Sequence, residues 1–192
     1  MTSKDYTIFK ELNAEFIHVL KKLTSDPSFI ENSFKALEVF RECNKNGGTI
    51  YFIGNGGSAA ISSHMAQDYT KMGLLKAQSF NDSSLITCLA NDYSYAQIFE
   101  KAISMYTKEH DVVVAISSSG KSGNILNGVT AAKNRKLNIV TLSGFNQTNP
   151  LNGMGYINFY VPNSTYRVVE IIHEYILHTI LDYHTLTRKA TQ

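Results

Sequence analysis

Thr49-Ile-Tyr-Phe-Ile-Gly-Asn-Gly-Gly-Ser58 is the stretch whose reading decides the fold of this chain. A short β-branched and aromatic run meets Gly-Asn-Gly-Gly and then alanines, which predicts a buried strand, a tight turn and the start of a helix. Glycines allow positive φ and a close approach of backbone to ligand, while the free N–H groups opening a helix favour an anion. Ser58 stands where a helix N-cap would, with a hydroxyl that can cap the helix or turn to a phosphate oxygen, and Asn55 can do similar work. The turn has neither the Gly-Lys-Ser/Thr ending of a P-loop nor a full Gly-x-Gly-x-x-Gly, so it reads either as a tight structural turn or as a phosphate cradle, and not as a nucleotide site.

The same device recurs downstream. Asp111-Val-Val-Val-Ala-Ile116 predicts a buried parallel strand, running into Ser117-Ser-Ser-Gly-Lys-Ser122 and a helix to about Asn134. Its four serine hydroxyls and loop N–H groups can surround a phosphate together with the first turn, while Lys121 reads as solvated. Further strands are expected at Asn138–Leu142, followed by Ser143-Gly144, and at Tyr156–Val161. Strands alternating with helices imply an α/β fold: a mostly parallel sheet covered on both faces, with the site at the C-terminal edge of the strands.

Ahead of the first strand, Phe9, Leu12, Phe16, Val19, Leu20 and Leu23 fall at helical steps, and Asp26-Pro27 opens a second helix that runs to Gly47-Gly48. Residues 1–47 are thus a helical pair before an α/β core over 48–192, able to pack on their own domain or on another subunit. Ala77–Phe80 reads as a short strand, with Ser83 or Ser84 capping the helix of Leu85, Ile86 and Leu89. Asn91-Asp92-Tyr93 reads either as a ligand-contacting surface loop or as the junction between two helices.

Composition narrows the classes. The 192 residues with 43% hydrophobic content suit one core. A net charge of +2, with no basic run longer than Lys21-Lys22, carries no nucleic-acid footprint. Cys43 and Cys88 lack metal-like spacing and fit reduced thiols in a cytoplasm. The sequence offers no apolar run of the ~20 residues that a membrane span needs, and no signal-peptide core at the N-terminus. The expectation is a cytoplasmic protein with neither a membrane nor a nucleic-acid partner.

Glu170, His173, Glu174 and His178 sit within nine positions of the last helix, expected over about Thr165–Tyr183. They read either as structural residues or as a metal or acid/base cluster. His64 and Asp68, at i and i+4, share a helical face with the spacing that lets two side chains hold one ion.

Taken together, Gly54-Asn-Gly-Gly-Ser58, His64 with Asp68, Asn91-Asp92-Tyr93, the Ser117–Ser122 loop and the histidine-bearing last helix resemble the phosphoheptose isomerases of the sugar isomerase (SIS) family. Those enzymes convert sedoheptulose 7-phosphate to D-glycero-D-manno-heptose 7-phosphate for bacterial surface polysaccharides. The resemblance implies a single SIS domain with a flavodoxin-like, doubly wound parallel sheet. It also implies a homotetramer with active sites between subunits. By the same resemblance Ser58, Ser117, Ser118, Ser119 and Ser122 bind the phosphate with the Gly56-Gly57 turn, and Asn55, Asn91 and Asp92 contact substrate. Zinc falls to His64, Asp68, Glu170 and His178. Asp68 is then the catalytic base and His178 its acid/base partner, with Glu170 able to take over as base. Three departures stand out: Asp68 replaces the family's glutamate, Glu170 its glutamine, and Arg167-Val-Val-Glu170 its Arg-Ile-Gln-Glu run. Arg167 also stands at an acidic family position and Met72 at an arginine.

Overall fold

A computed structural model describes residues 2–190. Two helices come first: α1 (Ser3–Thr24) and α2 (Pro27–Lys45). The α/β part follows as β1 (Ile50–Gly54), α3 (Gly57–Lys71), β2 (Ala77–Ser79), α4 (Ser83–Asp92) and α5 (Ile98–Tyr106). It continues through β3 (Val112–Ser117), α6 (Gly123–Asn134), β4 (Asn138–Ser143), β5 (Ile157–Tyr160) and α7 (Tyr166–Lys189).

The five strands are all parallel and stand in the order β2-β1-β3-β4-β5. That is the flavodoxin-like doubly wound order, whose direction of winding reverses between β1 and β3. Period-2 alternation supplies both faces. Ile50, Phe52, Val112, Val114 and Ile116 pack against α2, α3 and α7, while Tyr51, Ile53, Val113 and Ala115 pack against α5 and α6. With both faces covered, β3 is buried along its whole length, which is why its sequence is a near-continuous apolar run.

α2 joins the first of these cores through Ala36, Leu37 and Phe40, with Phe40 edge-on to Tyr69 and Phe29 edge-on to Phe159. α1 lies further out. It leaves Phe9, Leu12 and Ile17 exposed and is tied to the start of α7 by Glu15, which pairs with Arg167 at 2.7 Å and accepts from Asn163 at 2.9 Å. Two local expectations are corrected. The cap of α4 is Asp82, whose side chain accepts from the Leu85 N–H at 2.9 Å, so Ser83 is already helical. α7 runs to Lys189 rather than stopping near Tyr183, because its buried stripe continues through Leu181 and His184.

Candidate active site

At the β1/β3 reversal the C-terminal ends of two strands open side by side, leaving a crevice outside the sheet. A pocket of about 280 Å³ occupies it. One wall is the glycine turn, Asn55, Gly56, Gly57 and Ser58; the other is Ser117, Ser118, Ser119 and Ser122; Tyr166 and Glu170 of α7 close it. Gly56 takes φ 53°, a left-handed conformation that a side chain would strain.

Side-chain caps divide the helices, and α5, which continues out of a 3-10 turn at Tyr95–Gln97 away from the pocket, is uncapped as well. α1, α2 and α4 have their first turns satisfied by the side chains of Thr2, Asp26 and Asp82. α3, α6 and α7, which begin at the pocket, have no side-chain cap hydrogen bond. Their orphan N–H groups and the positive ends of their dipoles are available to an anion. Ser118 adds a second sign: its buried Oγ has no hydrogen-bond partner among the described residues. Such a group costs free energy unless something else fills its bonding capacity. Ser117 Oγ donates to Ser122 Oγ at 3.3 Å, and Ser119 Oγ accepts from the Lys121 N–H at 3.3 Å. Lys121 itself is exposed.

Two residues that the sequence did not single out hold the glycine turn in place. Asn55 and Asn124 exchange reciprocal amide hydrogen bonds, both 2.9 Å, which locks the turn to the first turn of α6. Tyr95 donates from its hydroxyl to Asn55 Oδ1 at 3.0 Å. Asn91 and Asp92 lie elsewhere, in the last turn of α4, where Asn91 Nδ2 donates to Asp92 Oδ1 at 2.9 Å and neither lines the pocket.

α3 and α7 run side by side in the same direction away from this cradle. Gly57 abuts Glu170, His64 meets Glu174, the Tyr69 hydroxyl donates to the Leu177 carbonyl at 3.0 Å, and His184 reaches the Gly73 carbonyl at 3.0 Å. Seven residues beyond Gly57, about 10 Å along the helix axis, His64 Nδ1 stands 2.7 Å from Glu174 Oε1 and its Nε2 3.3 Å from Asp68 Oδ2. The His178 ring is 5.3 Å away, edge-on. Donor atoms of His64, Glu174 and His178 all lie within 4.8 Å of one another. Two imidazoles and a carboxylate form the nitrogen and oxygen donor set that zinc accepts.

Of the four residues expected to hold metal, His64 and His178 fall in this group with Glu174, while Asp68 faces the other nitrogen of the His64 ring and is not part of it. Glu170 is one turn short of the group. Its carboxylate lies on the glycine turn, where a Cβ at Gly57 would come within 2.7 Å of both of its oxygens. Loss of water raises the Glu170 carboxyl above its ordinary range. His173 faces away, fully buried, with Nε2 3.1 Å from the Ser143 carbonyl oxygen, and burial pushes its pKa down to about 4.

The SIS domain family model matches residues 15–144. The phosphoheptose isomerase of Coxiella burnetii is 32% identical over 184 residues, covering 91% of this chain and 92% of that protein. The phosphoheptose isomerase of Shewanella sediminis is 33% identical over 186 residues, covering 91% and 93%. Among solved structures, the phosphoheptose isomerase of Neisseria gonorrhoeae superposes with a TM-score of 0.85 at 28% identity, covering 93% of this chain and 98% of that one. The enzyme from Francisella tularensis gives 0.83 at 26% identity, covering 97% and 100%.

Proposed function

The chain belongs to the SIS domain family and groups with its phosphoheptose isomerases, and from that premise we propose that it interconverts D-sedoheptulose 7-phosphate and D-glycero-D-manno-heptose 7-phosphate for bacterial surface polysaccharide synthesis. The observation that carries this reading is the pairing of an uncapped, hydroxyl-lined phosphate cradle with a His/carboxylate group farther along the same two helices. The cradle takes the phosphate on Ser58, Ser117, Ser118, Ser119, Ser122 and the Gly56-Gly57 backbone. The carbon chain then extends along the exposed edge of the α3/α7 contact toward His64, Glu174 and His178.

Isomerisation between aldose and ketose moves a proton between adjacent carbons through an enediol, so it needs a base, an acid and a stabiliser of oxyanion charge. Asp68 is the base in this reading, its carboxylate oriented by the His64 ring at 3.3 Å. His178 exchanges the proton at the sugar oxygens. On the other side of the ring, His64 Nδ1 and Glu174 Oε1 converge at 2.7 Å, the side on which a metal would be held. Zinc held by His64, Glu174 and His178 would supply the Lewis acid that polarises those oxygens. The enzyme is proposed to be cytoplasmic, in keeping with its two free cysteines. It is also proposed to be a homotetramer, whose contacts would cover the exposed Phe9, Leu12 and Ile17 of α1 and the apolar notch between α2 and α7 at Ile30, Phe34 and Tyr183.

NMR of sedoheptulose 7-phosphate mixed with enzyme tests the proposal. Turnover is expected, falling by about 10²-fold or more in Asp68→Asn. Binding without turnover would remove the isomerase reading, and full turnover in the variant would remove Asp68 as base.

A further inference from the structure

Glu170 places a negative charge in a pocket otherwise built to receive one. Among the described residues lining that pocket there is no Lys, Arg or His. Its positive character comes from three helix N-termini, each equivalent to about half an elementary charge. Together they amount to roughly 1.5 charges, close to what a phosphate monoester carries at neutral pH. Glu170 stands beside one of these N-termini without a hydrogen bond from it. Its carboxylate lies against Gly57 at the start of α3, with no cation or hydrogen-bond donor contributing to its titration and only lost hydration acting on it.

We propose that Glu170 sets the charge selectivity of the cradle, admitting one phosphate on a neutral polyhydroxyl chain and rejecting ligands that bring a second anionic group close to that phosphate. The inference rests on the reading of the pocket as a phosphate cradle. A sugar hydroxyl beside the phosphate can donate to the Glu170 carboxylate, which only accepts. A ligand carboxylate or a second phosphate there has no proton to offer, meets a like charge, and finds the helix dipoles already matched. Phospho-acids and diphosphates are thereby excluded, although each carries a group that the serines could bind.

The discriminating probes are sn-glycerol 3-phosphate and 3-phosphoglycerate, which share a three-carbon skeleton and differ by a hydroxymethyl against a carboxylate. Calorimetric titration of the full chain at pH 8 and low salt is expected to show glycerol 3-phosphate bound at least about tenfold more tightly, because like charges brought together oppose binding. In Glu170→Gln and in Glu170→Ala, both checked for native circular dichroism, that ratio should shrink to about threefold or less, mainly through tighter 3-phosphoglycerate binding. A ratio that stays the same in both variants overturns the proposal. Glycerol 3-phosphate failing to bind the wild-type protein would instead remove the cradle itself, and that result needs no variant to be seen.

Discussion

Lowering the pH from 8 to 5 should cost this protein stability at its buried histidines, and most at His173, with His184 acting in the same direction. His173 lies fully buried under the end of β4, with Nε2 bonded to the Ser143 carbonyl oxygen and Nδ1 without a partner among the described residues. A second proton on the ring would therefore be a buried, unanswered charge, and the pKa falls from 6.5 to about 4. Between those values the unfolded chain binds the proton and the folded chain does not. Stability accordingly drops as pH falls below 6.5 and levels off below about 4. The full effect is about 3 kcal/mol, of which about 2 kcal/mol is lost by pH 5. For a chain of this size that corresponds to about 4–8 °C in Tm. Paired melts of wild type and His173→Gln at pH 8 and pH 5 isolate the contribution, because glutamine keeps a donor for Ser143 and does not titrate. The wild type should lose about 4–8 °C more than the variant over this interval. Parallel losses in the two proteins would refute the assignment.

The glycine turn gives a second, paired prediction. At Gly57 an added Cβ meets only the far end of Glu170, so Gly57→Ala should change stability by about 1 kcal/mol or less. By pushing that carboxylate into the cradle, it should weaken sugar phosphate binding by about tenfold. At Gly54 the Cβ would come 2.6 Å from the Ser58 carbonyl carbon, which is backbone, so Gly54→Ala should lose about 1–3 kcal/mol or more in thermal melts. Equal melting of the two variants would contradict this. Asn124→Ala releases Asn55 and should raise KM for the sugar phosphate by about tenfold, more than Tyr95→Phe, which removes a single hydrogen bond to the same side chain. The reverse order in steady-state kinetics would mean that the amide pair does not position the turn.

Much of this was legible in the chain. Strand β3 could be read from Asp111-Val-Val-Val-Ala-Ile116 because burial on both faces leaves no polar alternation to confuse it. The two glycine- and serine-rich turns at the β1/β3 reversal were legible because a strand, a small-residue turn and a helix follow one another in each. The site on α7 was less so. Glu170, Glu174 and His178 are spaced by four and share one helical face, so the sequence alone cannot say which rung meets His64. That choice is made by the register of α7 against α3, fixed by contacts such as Tyr69 to Leu177 and His184 to Gly73. His173 sits in the same cluster by sequence, yet its position three after Glu170 rotates it into the core. Asn124 left no local signal, because its partner Asn55 is 69 residues away. The Asp82 cap was hidden by the two serines that follow it, and the extra turns of α7 by the polar residues interleaved with its buried stripe.

The most direct test of the account is turnover of sedoheptulose 7-phosphate by protein stripped of metal and then supplied with zinc, with bound metal measured in parallel. Little turnover is expected when stripped, with recovery on zinc, and loss of both zinc and activity in Glu174→Gln. Full turnover by the stripped protein, or zinc that binds normally to Glu174→Gln, would contradict the account.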